Sequence, residues 1–152
     1  MRSPESALRI GVEAHGEAVV LLRPAGDVDL LTTPSLRRRM RAGVRRHRHV
    51  VVDLSAVEYL ASVAIQALVE AQQLAERGGS ALYLTGAGHR RVARPLALTG
   101  LDPVLSVSDQ PAHVLVPRLA AAAGPPGERS RRPRRPDPDR PGGRPYPPEG
   151  RS

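Results

Sequence analysis

The sequence predicts an α/β domain over residues 1–123, built as a mainly parallel sheet of four or five strands with an N-terminal hairpin at one side and helices packed on it. Two observations predict it. Segments with a two-residue apolar period, or a short unbroken apolar run, alternate with segments of helical period. Composition then breaks at Gly124, beyond which nine of the 16 prolines and eight arginines gather, with no aliphatic side chain large enough to form a core. Residues 124–152 cannot bury enough apolar surface to offset the entropy of ordering them, so they are expected to form a disordered tail.

The elements follow in order. Leu8, Ile10 and Val12 alternate with Arg9 and Glu13, the mark of a half-buried strand. The His15-Gly16 turn leads into Val19-Val20-Leu21-Leu22, so the first two strands form a hairpin. Thr33-Pro34 starts a helix, with a capping hydroxyl before proline at the first helical position. Leu36, Met40 and Val44 recur every four residues along it as a narrow buried stripe. The unbroken run Val50-Val51-Val52 reads as a strand covered on both faces. A second helix runs from Ser62 to Arg77 and stops at Gly78-Gly79. Its Ala61, Ala64, Ile65, Leu68, Ala71 and Ala75 face the sheet, while Ser62, Gln66, Glu70, Gln73 and Arg77 face solvent. Ala81-Leu82-Tyr83-Leu84 is the next strand, and Gly88 to Leu98 the third helix, kinked by Pro95. A weak strand near Val104–Val107 and a last helix from Ser108 to about Ala122 complete the order ββαβαβαβα.

Bulk properties exclude several classes of function. There is no cysteine, hence no disulfide framework and no thiolate metal site. Met1-Arg2-Ser3-Pro4-Glu5 lacks the apolar segment of a signal peptide, and no apolar run approaches membrane-spanning length, so a soluble, cytoplasmic protein without membrane insertion is expected. The net charge is +8, and every one of the 23 basic residues is arginine. In the tail these arginines are interrupted by proline and accompanied by one aromatic, Tyr146, so a base-stacking nucleic-acid arm is not expected. Arg37, Arg38, Arg39, Arg41, Arg45, Arg46 and Arg48 around the first helix read as a solvated face. The histidines 15, 47, 49, 89 and 113 form no metal-ligand pattern, and no cofactor is expected.

Catalysis is not expected either. Gly86-Ala87-Gly88-His89-Arg90-Arg91 follows a strand and opens a helix, like the first part of a dinucleotide fingerprint, with Asp109 about twenty residues on. The position of the third glycine holds Arg91, however, and too few parallel strands follow. Asp53, at the end of its strand, is assigned to tying down loop backbone.

Function concentrates at one strand-to-helix junction, Val50 to Ile65. Its second helix opens with Ser62, on the solvent side, where backbone N–H groups are unpaired and the helix dipole is positive. Such a hydroxyl either caps the helix, worth about 1 kcal/mol, or accepts a phosphate that changes a contact surface. The residues alone leave both open. Asp27 and Asp29, in a loop expected beside Ser62, either contact a partner or shape the turn into the first helix.

Three segments, in this order, resemble the STAS domain of bacterial anti-sigma factor antagonists. Gly26-Asp27-Val28-Asp29 is similar to that family's Gly-acid-apolar-Asp turn, and Asp53 to Ser62 to its core strand–helix junction. Leu98-Thr99-Gly100-Leu101-Asp102 is similar to its Leu-Thr-Gly-Leu motif, and the likeness extends from about Leu8 to Leu119. The resemblance implies a module that works by binding: it would engage an anti-sigma factor with serine-kinase activity, release the sigma factor, and be switched off by phosphorylation of Ser62. Asp27, Asp29, Ser62, Val63 and Gln66 would then contact the partner. The family motif reads Asp-Ser-Ser/Thr-Gly, whereas this chain has Ala61-Ser62-Val63-Ala64. A carboxylate and a second hydroxyl are missing, and a methyl stands where glycine allows close approach. That departure keeps an alternative in view, a STAS scaffold without phosphorylation or a ligand-binding subunit of a larger complex. The oligomeric state and the identity of kinase and sigma factor are not encoded in any motif.

Overall fold

A computed structural model describes residues 8–124; the tail predicted to be disordered lies, from residue 125 on, outside the described residues. Strand β1 (Leu8–His15) pairs antiparallel with β2 (Val19–Val28), and Gly16, at φ +68°, turns the chain between them. Helix α1 (Thr33–Arg46) leads to β3 (His49–Asp53) and β4 (Val57–Leu60). Helix α2 (Ser62–Gly78), β5 (Ala81–Thr85), α3 (Arg90–Thr99), a 3-10 turn at Asp102–Val104 and α4 (Ala112–Ala122) complete the order.

The sheet runs β1-β2-β3-β5, with β4 also on β2, and all pairings except β1–β2 are parallel. One edge of β2 serves two neighbours in turn: Val19–Leu22 pair with β3, then Gly26–Val28 pair with β4. Pro24 sits between these two stretches, where its missing N–H breaks no ladder to either strand. Because strands are two-sided, the apolar run splits cleanly. Val20, Leu22, Val50, Val52, Leu82 and Leu84 belong to the core shared with α1, α2 and α3, whereas Val19, Leu21 and Val51 meet Ala112 and Val116 of α4. Covering both faces is what the uninterrupted Val50–Val52 run predicted.

Helix α1 buries Leu36, Met40 and Val44 as the four-residue spacing requires. It approaches the sheet at Gly43, where an added Cβ would lie 3.2 Å from Val50 Cγ2 and 3.3 Å from Val20 Cγ1. Its last turn has no glycine stop. Instead Ser80, buried at the entry to β5, donates to the carbonyl of Val44 at 2.9 Å or that of His47 at 3.1 Å. Helix ends leave carbonyls without partners, so this hydroxyl replaces water there. Ser80→Ala should therefore lower the unfolding free energy by about 1–2 kcal/mol, readable as a lower urea midpoint at unchanged slope. A midpoint equal to the parent's would show that these carbonyls find water instead.

Several boundaries differ from expectation. β4 was not anticipated within the loop before α2. Val57 and Leu60 are buried and Glu58 and Tyr59 exposed, and the ladder to β2 shifts register between Gly26 and Asp27. That irregularity removes the two-residue alternation by which a strand is recognised. Val104–Val107 is not a strand: its first residue ends the 3-10 turn, and Val107 makes one isolated bridge to Leu84 of β5. Buried Gln72 holds this segment instead, with Nε2 2.7 Å from Ser106 Oγ and Oε1 accepting from Ser106 N at 3.0 Å. Helix α4 starts at Ala112, capped by Pro111, rather than at Ser108. Helix α1 has Thr32 at its N-cap position, one residue before the expected Thr33 and without a side-chain capping bond, and α3 passes through Pro95 without ending.

Candidate functional site

Helix α2 starts beside the end of β2. Ala61 N donates to Val28 O at 2.9 Å, so the junction is fastened to the last residue of β2. Ala61, with extended backbone, is the N-cap, and its carbonyl accepts from Ala64 N and Ile65 N. Ser62 is consequently the first helical residue and not the cap, which corrects the capping alternative. A side chain at the first helical position points away from the amide groups that a cap would satisfy. Ser62 is exposed, and among the described residues its hydroxyl makes no hydrogen bond. Gln66, one turn on, is also exposed, and Val63 is half-buried.

The neighbouring β2–α1 loop is internally braced. Asp29 Oδ1 accepts from Leu31 N at 2.9 Å, Thr32 N at 3.0 Å and Thr32 Oγ1 at 3.1 Å. Thr32 Oγ1 also lies 2.8 Å from Asp27 O and 2.9 Å from Asp29 N, and Thr33 donates to Asp29 O through both its amide and its hydroxyl. These bonds fold the carboxylate of Asp29 into the turn. Asp27 is only 8 % exposed. The bracing lifts Leu30 and Leu31 into solvent at 72 % and 86 % exposure. Two adjacent leucines are thus held out on a braced loop, an exposed apolar tip not anticipated from the sequence. The signal was the pair itself, sitting between two turn-forming residues.

An open groove of about 710 Å³ runs between the β4–α2 junction and α3. Glu58, Tyr59 and Ser62 line one side, and Arg90, Arg91, Arg94 and Leu98 the other. Tyr59 and Leu98 are 51 % and 76 % exposed. Ser62 thus lines a groove whose other wall is basic. A second, smaller groove of about 300 Å³ lies between α1 and α2, lined by Arg41, Arg45, Arg77 and Glu70, the last 3.2 Å from Arg37 Nε.

Of the fingerprint-like glycines, Gly86 has a structural role. Gly86, at φ +66°, lies against the β3–β4 turn, where an added Cβ would stand 2.6 Å from Ser55 N and 2.7 Å from Asp53 Oδ1. Asp53 Oδ1 accepts from Ser55 N at 3.0 Å, the loop-fastening assigned to it, and His89 Nε2 is 3.0 Å from Leu54 O. Among the described residues no group of three or more acidic or histidine side chains is placed to hold a metal ion, and no helix is long and apolar enough to cross a membrane.

A five-stranded sheet lies between α4 and the other helices, and a helix-opening serine is displayed beside a braced loop, which defines the class of α/β module. The chain belongs to the STAS domain family: the family model described as "Mlab, STAS domain" matches residues 10–107. An anti-sigma factor antagonist from Mycobacterium paratuberculosis is similar over 78 % of this chain and 98 % of that one, at 26 % identity and a TM-score of 0.65. A variant of RsbS from Moorella thermoacetica, S58E, shares the fold at 20 % identity and a TM-score of 0.61, over 76 % and 97 % of the two chains. The phosphorylated form of the Bacillus cell fate determinant SpoIIAA does so at 12 % identity and a TM-score of 0.57, over 72 % and 98 %. No curated sequence aligns significantly with this chain.

Proposed function

We propose that this protein is an anti-sigma factor antagonist that binds an anti-sigma factor with serine-kinase activity and is released when Ser62 is phosphorylated. The observation that carries the reading is Ser62 itself, exposed at the first residue of α2 with its hydroxyl unoccupied among the described residues. Leu30 and Leu31, with Ser62, Val63 and Gln66, form the contact face, while Asp27 and Asp29 hold the loop that presents it. The kinase forms the Oγ–P bond as the bond from the γ-phosphorus to the bridging oxygen of ATP breaks; ADP leaves, and the hydroxyl proton passes to the kinase. The product carries nearly two negative charges in the middle of that face, which a fitted partner must then desolvate. Because the acceptor is already outside the sheet and not engaged in capping, modification requires no refolding.

The test is modification and binding in the same preparation. Full-length protein incubated with ATP and the anti-sigma kinases of its own organism should gain one phosphate at Ser62, and Ser62→Asp should lose binding to the kinase that adds it. A phosphomimic that binds as tightly as the parent overturns the switch.

A second reading is favoured by Ala61, Val63 and Ala64, which replace three of the four residues of the phosphoacceptor motif. In it the domain is a constant part of a larger complex or holds its ligand, so Ser62 carries no phosphate in growing or stressed cells and Ser62→Ala is without effect.

A further inference from the structure

Helix α3 carries three arginines, Arg90, Arg91 and Arg94, that line the same groove as Ser62. All three are exposed, and among the described residues none makes an ion pair. The only acid lining that groove is Glu58. Arg90 and Arg94 are one helical turn apart, about 6 Å, so their guanidinium groups can converge on one anion. Three unpaired cations facing a single carboxylate leave the groove with an excess of positive charge and no described group to balance it. Ser62, the residue to which the proposed switch adds a dianion, lines the same groove.

We propose that Arg90, Arg91 and Arg94 receive the phosphoryl group on Ser62 within the same chain. This rests on the preceding reading of Ser62 as a phosphoacceptor and adds what the phosphate does once it is there. It bridges the start of α2 to α3 across the groove through charge-assisted hydrogen bonds, which guanidinium groups form well with phosphate oxygens. The basic wall of the groove is then neutralised by an internal ligand. The modified protein therefore differs from the free one by a closed, locally ordered groove as well as by an added charge. It also accounts for a phosphoserine next to Ala61: the stabilising charges come from α3, not from the residue before the serine.

The test needs no kinase. Full-length protein is made with phosphoserine installed at position 62 by codon reassignment, and the phosphate is titrated by phosphorus NMR. Nearby cations favour the dianion, so the second ionisation should fall to a lower pH than that of phosphoserine in a short peptide of residues 57–67. The expected displacement is about half a pH unit or more, shrinking in 0.5 M salt as exposed charges are screened. R90Q/R91Q/R94Q should return the midpoint to the peptide value, with unchanged circular dichroism showing that the fold survives, and an all-lysine variant should keep part of the displacement. A midpoint equal to the peptide's in low salt overturns the proposal, as does a displacement that persists in the glutamine variant. If instead cells never phosphorylate Ser62, mass spectrometry shows it and the titration still reports on the arginines. The two failures are therefore distinguishable.

Discussion

Gly86→Ala is expected to lower the unfolding free energy by on the order of 3 kcal/mol, from backbone strain together with overpacking. Gly86 has φ +66°, and its added methyl would stand 2.6 Å from the amide nitrogen of Ser55 and 2.8 Å from Ser55 Cβ. Neither can yield freely. Ser55 N is bonded to Asp53 Oδ1 and Leu54 N to Thr85 O, so the turn between β3 and β4 is held from both sides. Moving that turn moves β4, and β4 leads directly into Ala61 and Ser62. The variant should thus also disturb the start of α2, seen as broadened amide signals from Val57 to Val63. Gly88→Ala provides the control, because nothing lies within 4 Å of where its methyl would stand and its φ is not positive; it should change stability by less than about 0.5 kcal/mol. Equal costs at the two glycines would mean that Gly86 does not lock the turn. A nucleotide-binding loop would be expected to need both.

The second large effect concerns binding. Leu30→Asp combined with Leu31→Asp should weaken association with the anti-sigma partner by about thirtyfold or more, the range of a central apolar anchor. Stability should hardly change, since both side chains are already in water at 72 % and 86 % exposure. The brace beneath them involves only the backbone of Leu31, through Asp29 Oδ1. Equilibrium titration with denaturant and partner measures the two quantities separately. Loss of binding together with loss of stability would assign the leucines to the fold, and no loss of either would place the contact face elsewhere.

Most of the architecture could be read in the sequence because its signals are local and periodic. Val50–Val52 announces a strand with two covered faces, Leu36, Met40 and Val44 announce a helix stripe, and Gly79 takes the left-handed conformation at φ +76° that closes α2. What escaped is set by distant partners. β4 exists because β2 exchanges one neighbour for another at Pro24 and shifts register after Gly26, and no pattern within Val57–Leu60 reveals that. The anchor at Gln72 is of the same kind, since its partner Ser106 lies 34 residues away.

The site was legible to a similar degree. Ser62 and Gln66 were expected on the solvent side of α2 and lie there; Asp27 and Asp29 were expected near Ser62, and the link from Ala61 N to Val28 O brings their loop to it. That the loop's exposed tip would be Leu30 and Leu31, and its carboxylate an internal brace, depends on three hydrogen bonds to one oxygen. Nor could the sequence tell that the arginines of α3, about thirty residues downstream, would face the same groove as Ser62.

The central claim is that a phosphate at Ser62 decides whether this domain is bound. Calorimetric titration of the anti-sigma kinase with the full-length chain, once unmodified and once carrying phosphoserine 62, tests it most directly. The account predicts tight one-to-one binding of the unmodified protein and at least a hundredfold weaker binding of the phosphorylated one, a difference of about 2.7 kcal/mol. Equal affinities for the two forms would contradict it.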